Sequence, residues 1–293
     1  MPHLVLPLGT KVLTRPGGQV GIIVHAPAEP AELYQVKFAD GHQHQLARQQ
    51  LTIFKHEDAE IPGAPAAAGL YRYVHFRCIT GSTAYGLQHE ASDVDRRGFY
   101  LPPAHLHWSL AGVPEQLESD HEEVYWELEK FLRLALKANP NVLECLYSPL
   151  IETCTPLAQE LIGLRGIFLS QHVHRTYNSY VLSQFKKLEQ DLRNQHELRW
   201  KHVMHLIRLL LSGVTVLEEG FVPLRMDAHR DRLLAIRHGR LPWEEVEVWR
   251  LQLHQRLDQA LTSTNLPAHP DYAAANDFLI RARRHAASED YAA

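Results

Sequence analysis

Thr80-Gly81-Ser82-Thr83-Ala84-Tyr85-Gly86-Leu87-Gln88-His89-Glu90-Ala91-Ser92-Asp93-Val94-Asp95-Arg96-Arg97-Gly98-Phe99-Tyr100 is the stretch that decides the fold. Arg72–Ile79 reads as a strand that ends at Gly81-Ser82, and Asp93–Leu101 reads as a second strand. Side chains on a strand alternate, so Asp93 and Asp95 leave on one face with Cα atoms roughly 6.5–7 Å apart. Two such charges about 4 Å apart repel by about 4 kcal/mol at an effective dielectric of about 20, so the pair calls for a cation or a proton. Mg²⁺, or Mn²⁺ in its place, arriving with a nucleotide phosphate answers that need, because Mg²⁺ takes one or two carboxylates and bridges phosphate oxygens. Gly81 lets backbone approach a phosphate, and Ser82 offers a hydroxyl and an N–H at an expected helix start. Together these parts suit phosphoryl-group transfer, in which metal ions align an attacking hydroxyl with a nucleoside triphosphate and stabilise the leaving pyrophosphate.

A plainer reading makes Ser92-Asp93-Val94-Asp95 a helix-capping turn and Gly81-Ser82 an ordinary connection. The glycine-serine corner upstream and Phe99-Tyr100-Leu101 downstream favour the paired-strand reading. Strand parity puts Arg97 on the aspartate face, where it either binds phosphate or pairs with the aspartates.

Outward from this centre, Glu127–Ala138 has the period of an amphipathic helix, and Asn139-Pro140 stops it. Val142–Ser148 reads as a third strand. Beyond Pro156 the pattern is helical, with helices expected near 157–165, 171–195, 197–218, 227–238, 243–262 and 271–286. Upstream, Gly9-Thr10, Val20–Val24 and the alternating Tyr34, Val36 and Phe38 before Asp40-Gly41 predict short strands and a hairpin. This resembles a small SH3-like β-barrel over residues 1–58. Such modules bind many kinds of partner, so the barrel names no protein partner and sets no function. The Pro/Gly/Ala-rich stretch 59–69 reads as a linker.

The 293 residues leave room for about two domains. Thirty basic against 34 acidic residues give a net charge of −4, which argues against coating nucleic acid by bulk charge but leaves a local basic groove open. Cys78, Cys145 and Cys154 form no paired motif, so a disulfide framework and a cysteine zinc site are not expected, and a reducing cytoplasm fits. The N-terminus lacks a signal-peptide pattern and no stretch is long and apolar enough for a membrane span. The 20 histidines show no metal-protease spacing, so scattered surface residues account for them better than zinc. Ser82 has none of the surroundings of a triad serine.

Lys201, His205 and Arg208 recur at i, i+4 and i+7, opposite Val203, Leu206, Ile207 and Leu210. They form either a solvated helix face or a docking strip for a triphosphate or nucleic-acid backbone. Lys130, between Leu128 and Phe131, is a candidate substrate contact near the same cleft.

Gly81-Ser82 followed by Asp93-Val94-Asp95 resembles the signature of the DNA polymerase beta nucleotidyltransferase superfamily. With Glu129-Lys130-Phe131, Asn139-Pro140-Asn141-Val142-Leu143-Glu144, Lys201–Leu210 and Leu234–Gly239, the likeness is to the RlaP-type nucleotidyltransferases associated with RNA repair, over roughly residues 70–250. It implies an α+β fold: a polymerase-beta-like mixed sheet with helices over 70–155, then a helical substrate-binding region over 156–293. It also implies a third carboxylate on a neighbouring strand. Glu144 is preferred there, since Val142, Glu144 and Leu146 alternate on the expected strand, while Glu122 and Glu123 compete. On this reading Asp93, Asp95 and Glu144 hold metal. Gly81 and Ser82 bind triphosphate, with Arg97, Lys130, Lys201, His205 and Arg208 in support. The implied reaction moves a nucleoside monophosphate from an NTP to an acceptor hydroxyl, and the family's association with RNA repair suggests an RNA or other nucleic-acid end as that acceptor. A small-molecule or protein acceptor, or a non-catalytic nucleotide or nucleic-acid binding module, are the alternatives.

Overall fold

The computed structural model describes residues 6, 8–15, 18–27, 33–38, 40–53, 67–88, 93–119, 122–195 and 198–290. The chain divides into two compact units, residues 1–62 and 63–293.

In the first unit, strands β1 (Lys11–Thr14), β2 (Val20–His25), β3 (Tyr34–Phe38), β4 (Gln43–Leu46) and β5 (Leu51–Ile53) form one antiparallel sheet in the order β4-β3-β2-β1-β5. Asp40-Gly41 makes the β3–β4 turn as expected: Gly41 has φ +88°, and the His42 N–H donates to the Asp40 carboxylate (3.0 Å). Val12, Ile23, Tyr34, Val36 and Leu51 bury one face. The expected barrel is corrected here: β4 and β5 stand at opposite edges and do not pair, so the sheet is open among the described residues. Alternation dictates one buried face, but closure depends on pairing between edges distant in sequence.

The predicted linker lies outside the described residues up to residue 66, and its end forms a short helix, α1 (Ala67–Leu70). The second unit then runs β6 (Val74–Thr80), α2 (Gly81–Ala84), β7 (Asp95–Tyr100), α3 (Ala104–His107), β8 (Gln116–Ser119), β9 (Glu123–Glu127), α4 (Leu128–Leu136), α5 (Pro140–Tyr147), β10 (Ile151–Cys154) and α6 (Pro156–Gly163). Helices α7 (His172–Gln195), α8 (Trp200–Glu219), α9 (Arg230–Arg237), α10 (Trp243–Ser263) and α11 (Tyr272–Asp290) complete it. The sheet is mixed, in the order β10-β6-β7-β9-β8, with β7 and β9 parallel and the other pairs antiparallel.

Phe76, Cys78 and Thr80 alternate from β6 into the core, where Phe99, Phe131, Leu143 and Leu146 meet them. The same apolar cluster continues through Leu206, Leu210 and Leu257 to Phe278, so the sheet and the C-terminal helices share one core. Each such large side chain contributes about 1.5–3 kcal/mol by leaving water. A Cβ on Gly98 would sit 1.8 Å from the Phe76 carbonyl oxygen, so glycine is what lets β7 lie against β6 at its bulge.

The strand expected over Val142–Ser148 is a helix, α5. The Asn139 side chain accepts the Val142 N–H (3.3 Å) and Pro140 occupies the first turn, a strong N-terminal combination. Val142 to Tyr147 are all buried, and a run buried on every side has no polar face to betray its period. No helix among the described residues is long and apolar enough to cross a membrane.

Candidate active site

The site begins where β6 ends. Thr80 pairs with Asp95 across the β6–β7 ladder, and the chain turns at Gly81 with φ +68°. A Cβ at Gly81 would lie 2.0 Å from Asp95 Oδ2, so this position needs glycine for both its backbone angle and the carboxylate resting over it. The turn continues through α2, where the Tyr85 N–H donates to the Gly81 carbonyl (3.1 Å) and the Leu87 N–H to the Ser82 carbonyl (2.9 Å). Gly81, Ser82 and Asp95 line a cleft of about 450 Å³ whose far wall comes from α8 and α9.

Tyr85 points from this corner into the protein. Its hydroxyl donates to Glu144 Oε2 (2.5 Å), and Glu144 Oε1 accepts from Arg208 Nη1 (2.7 Å). The Arg208 guanidinium stacks on the Tyr85 ring, 3.7 Å from its centroid. The Glu144 and Arg208 side chains are 2 % and 1 % exposed. Burial alone would lower the Arg208 pKa, but the Glu144 carboxylate more than offsets it and holds the value above the usual arginine range. Burial, with Glu144 beside it, drives the Tyr85 phenol well above its ordinary value. His205 Nδ1 lies 3.4 Å from Arg208 Nη2, and burial together with the Arg208 charge pulls its pKa down to about 3.

Glu144, expected on a strand as a third metal carboxylate, therefore sits on a helix with both oxygens committed to Tyr85 and Arg208. Arg208, expected on an outward strip, is its buried partner. The strip of α8 runs from exposed Lys201 through partly buried His205 to fully buried Arg208 because the helix dives into the core. Lys201 and His205 do line the cleft. Arg97 lines it too and pairs with Asp95 (Nη2–Oδ1, 3.1 Å) while also donating to the Arg96 and Glu122 carbonyls.

Asp93 precedes β7, is exposed and does not line the cleft. Glu122 is exposed, with φ +57°. Glu123 accepts from the Tyr125 hydroxyl (3.0 Å) and faces Arg96, away from Asp95. Among the described residues no three His, Cys, Asp or Glu side chains gather into a metal-binding group. Lys130 belongs to a separate cavity, where it contacts Gln116 (2.8 Å) and Glu115 (3.0 Å).

Further cleft-lining residues to which the sequence reading assigns no role include Tyr85, Asn141, His202 and Arg237, which lie inside the stretches that carry the family resemblance, and Arg199, which lies outside them. Arg237 donates to the Leu87 carbonyl (2.8 Å) and so ties α9 to the glycine-serine turn. Burial, followed by the Arg199 and Lys187 charges, lowers the His202 pKa. Arg97, Arg199, Lys201 and Arg237 make the wall cationic despite the acidic whole.

The sequence model of RlaP, the RNA repair pathway DNA polymerase beta family, matches residues 44–281. The chain belongs to the RlaP family. The match takes in every residue of the RlaP cleft described above. This RlaP chain is also 25 % identical over 150 residues to the uncharacterized protein YcgL of Bacillus subtilis (strain 168), an alignment covering 49 % of this chain. It spans 56 % of that curated relative's length. No solved structure matches the chain.

Proposed function

We propose that this RlaP-family chain is a divalent-metal-dependent nucleotidyltransferase that moves a nucleoside monophosphate from an NTP to an acceptor hydroxyl, with an RNA end as the acceptor. The observation that carries this reading is the Asp95 carboxylate resting on the positive-φ Gly81 turn at the mouth of a cation-lined cleft of about 450 Å³. That volume lies within the range of about 300–1,000 Å³ common for ligand sites.

In the reaction, the acceptor oxygen bonds to the α-phosphorus, the bond to the bridging oxygen breaks, and pyrophosphate leaves with that electron pair. The hydroxyl proton passes to Asp95 or to solvent. Asp95, with Oδ2 over the Gly81 turn, is the cleft carboxylate that would hold a Mg²⁺ completed by substrate phosphates and waters rather than by an all-protein cage, while Asp93 stands exposed outside the cleft lining. Such an ion, when bound, would neutralise charge on the triphosphate and the leaving pyrophosphate. Gly81 and Ser82 receive the phosphates, and Arg199, Lys201 and Arg237 offset the remaining negative charge. Arg97 holds the Asp95 carboxylate in place until substrate arrives. Glu144 acts through Arg208 and Tyr85 as a positioning group. The three free cysteines, two of them buried, suit a reducing compartment such as the cytoplasm.

The test is transfer of label from α-labelled NTP to an RNA end with Mg²⁺ present. Asp95→Asn is expected to lower the rate by at least about 100-fold, as loss of an electrostatic group at a reacting centre does, with thermal stability retained. Transfer by Asp95→Asn at the unsubstituted rate would defeat the assignment. Label appearing on a small molecule or on the protein, and never on RNA, would keep the chemistry and replace the acceptor.

A further inference from the structure

His205 is a cleft residue whose proton placement is dictated by its neighbour. Its Nδ1 lies 3.4 Å from Arg208 Nη2. A guanidinium has five N–H donors and no acceptor, and Arg208 is held charged by Glu144 at 2.7 Å. Nδ1 must therefore be the accepting nitrogen, and the neutral ring carries its proton on Nε2. Burial and the Arg208 charge keep the ring from taking a second proton at ordinary pH. His205 lines the cleft, so the remaining edge of the ring gives it a neutral, orientation-fixed N–H donor.

That donor has apolar neighbours in the cleft lining: Met204 adjoins His205 on α8, and the Tyr85 ring stacks on the same Arg208 guanidinium that His205 Nδ1 meets. A flat apolar ligand with acceptor atoms on its edge suits this part, and a phosphate would be served better by the cations on the rim. We infer that His205 Nε2–H is the base-reading group of the site, donating to a ring nitrogen or carbonyl oxygen of the nucleobase. Met204 and the Tyr85 ring supply the apolar contacts to the base. The inference rests on the nucleotide reading of this cleft and adds the residue that discriminates nucleotide from bare polyphosphate.

Two substitutions separate the ring's two edges. Asn places its side-chain oxygen where Nδ1 stood, keeping the Arg208 contact but losing the N–H toward the cleft. Gln places an N–H₂ group near the former Nε2. Calorimetric titration of the full chain with each of the four NTPs and with inorganic tripolyphosphate, in Mg²⁺, reads both ends of the cleft. His205→Asn is expected to weaken the preferred NTP by about 2- to 10-fold, the value of one neutral hydrogen bond, with tripolyphosphate binding unchanged. His205→Gln is expected to stay close to the unsubstituted protein. Equal NTP affinity in all three proteins, or equal weakening of NTP and tripolyphosphate by His205→Asn, would overturn the assignment. If the unsubstituted protein binds tripolyphosphate and none of the NTPs, the nucleotide reading itself falls and this inference with it.

Discussion

Removing one member of the Glu144–Arg208 pair should be among the most damaging single changes in the second unit. Arg208→Met leaves a carboxylate at 2 % exposure with only the Tyr85 hydroxyl for company. Breaking a buried pair from one side costs about 3–5 kcal/mol, because the orphaned charge loses its partner and stays out of water. For a unit of this size about 1 kcal/mol moves the melting temperature by about 2–4 °C, so the expected drop is about 6–20 °C. Removing both charges is different, since an apolar pair of similar volume is often neutral or better. Glu144→Leu/Arg208→Met still strands the Tyr85 hydroxyl, at about 1–3 kcal/mol. Adding Tyr85→Phe removes that penalty, and the triple variant should unfold within about 2 kcal/mol of the original. Urea and thermal unfolding of the single, double and triple variants give the series. A triple variant no more stable than Arg208→Met, or a single variant losing under about 1 kcal/mol, would refute the reasoning that these charges hold each other in the core.

The Gly81 turn makes its own prediction. Gly81→Ala adds about 1–2 kcal/mol of left-handed backbone strain and puts a methyl on the Asp95 carboxylate, so transfer should fall far more than stability does. Single-turnover kinetics set beside a melting curve checks this, and proportionate losses would contradict it. His205 supplies a pH dependence. Its folded pKa, about 3, lies below the unfolded value of about 6.5, so the stability it contributes is complete above about pH 6.5 and is lost as pH falls toward 3. Between pH 7 and pH 5 that loss reaches at most about 2 kcal/mol, and urea midpoints of His205→Asn should fall correspondingly less over this interval. Identical pH slopes would mean that the imidazole titrates freely.

The local grammar of the chain was readable without coordinates. Strand β6, the Gly81-Ser82 corner, strand β7 and helix α4 stand where the apolar periods and glycine placements put them, because alternation and turn chemistry involve neighbours in sequence. The short strands β8 and β10 escaped that reading, as four-residue segments carry too little pattern. Helix α5 was misread for the opposite reason, since every residue from Val142 to Tyr147 is buried and no polar face marks its period.

What the amino-acid order by itself determined is the meeting of Gly81 with Asp95: a hairpin-like β6–β7 ladder brings these two residues, 14 apart, to one point, and only glycine tolerates the carboxylate above it. Tertiary structure decided the rest of the cleft. Whether Glu144 faces a substrate or Arg208, 64 residues away, depends on how α5 and α8 cross. Whether Lys130 joins the cleft depends on which side of α4 meets the sheet, and α4 turns that lysine toward Glu115 and Gln116 instead. Charge pairing across long separations follows from packing, which is fixed by the sum of many apolar contacts and leaves no mark at the charged positions themselves.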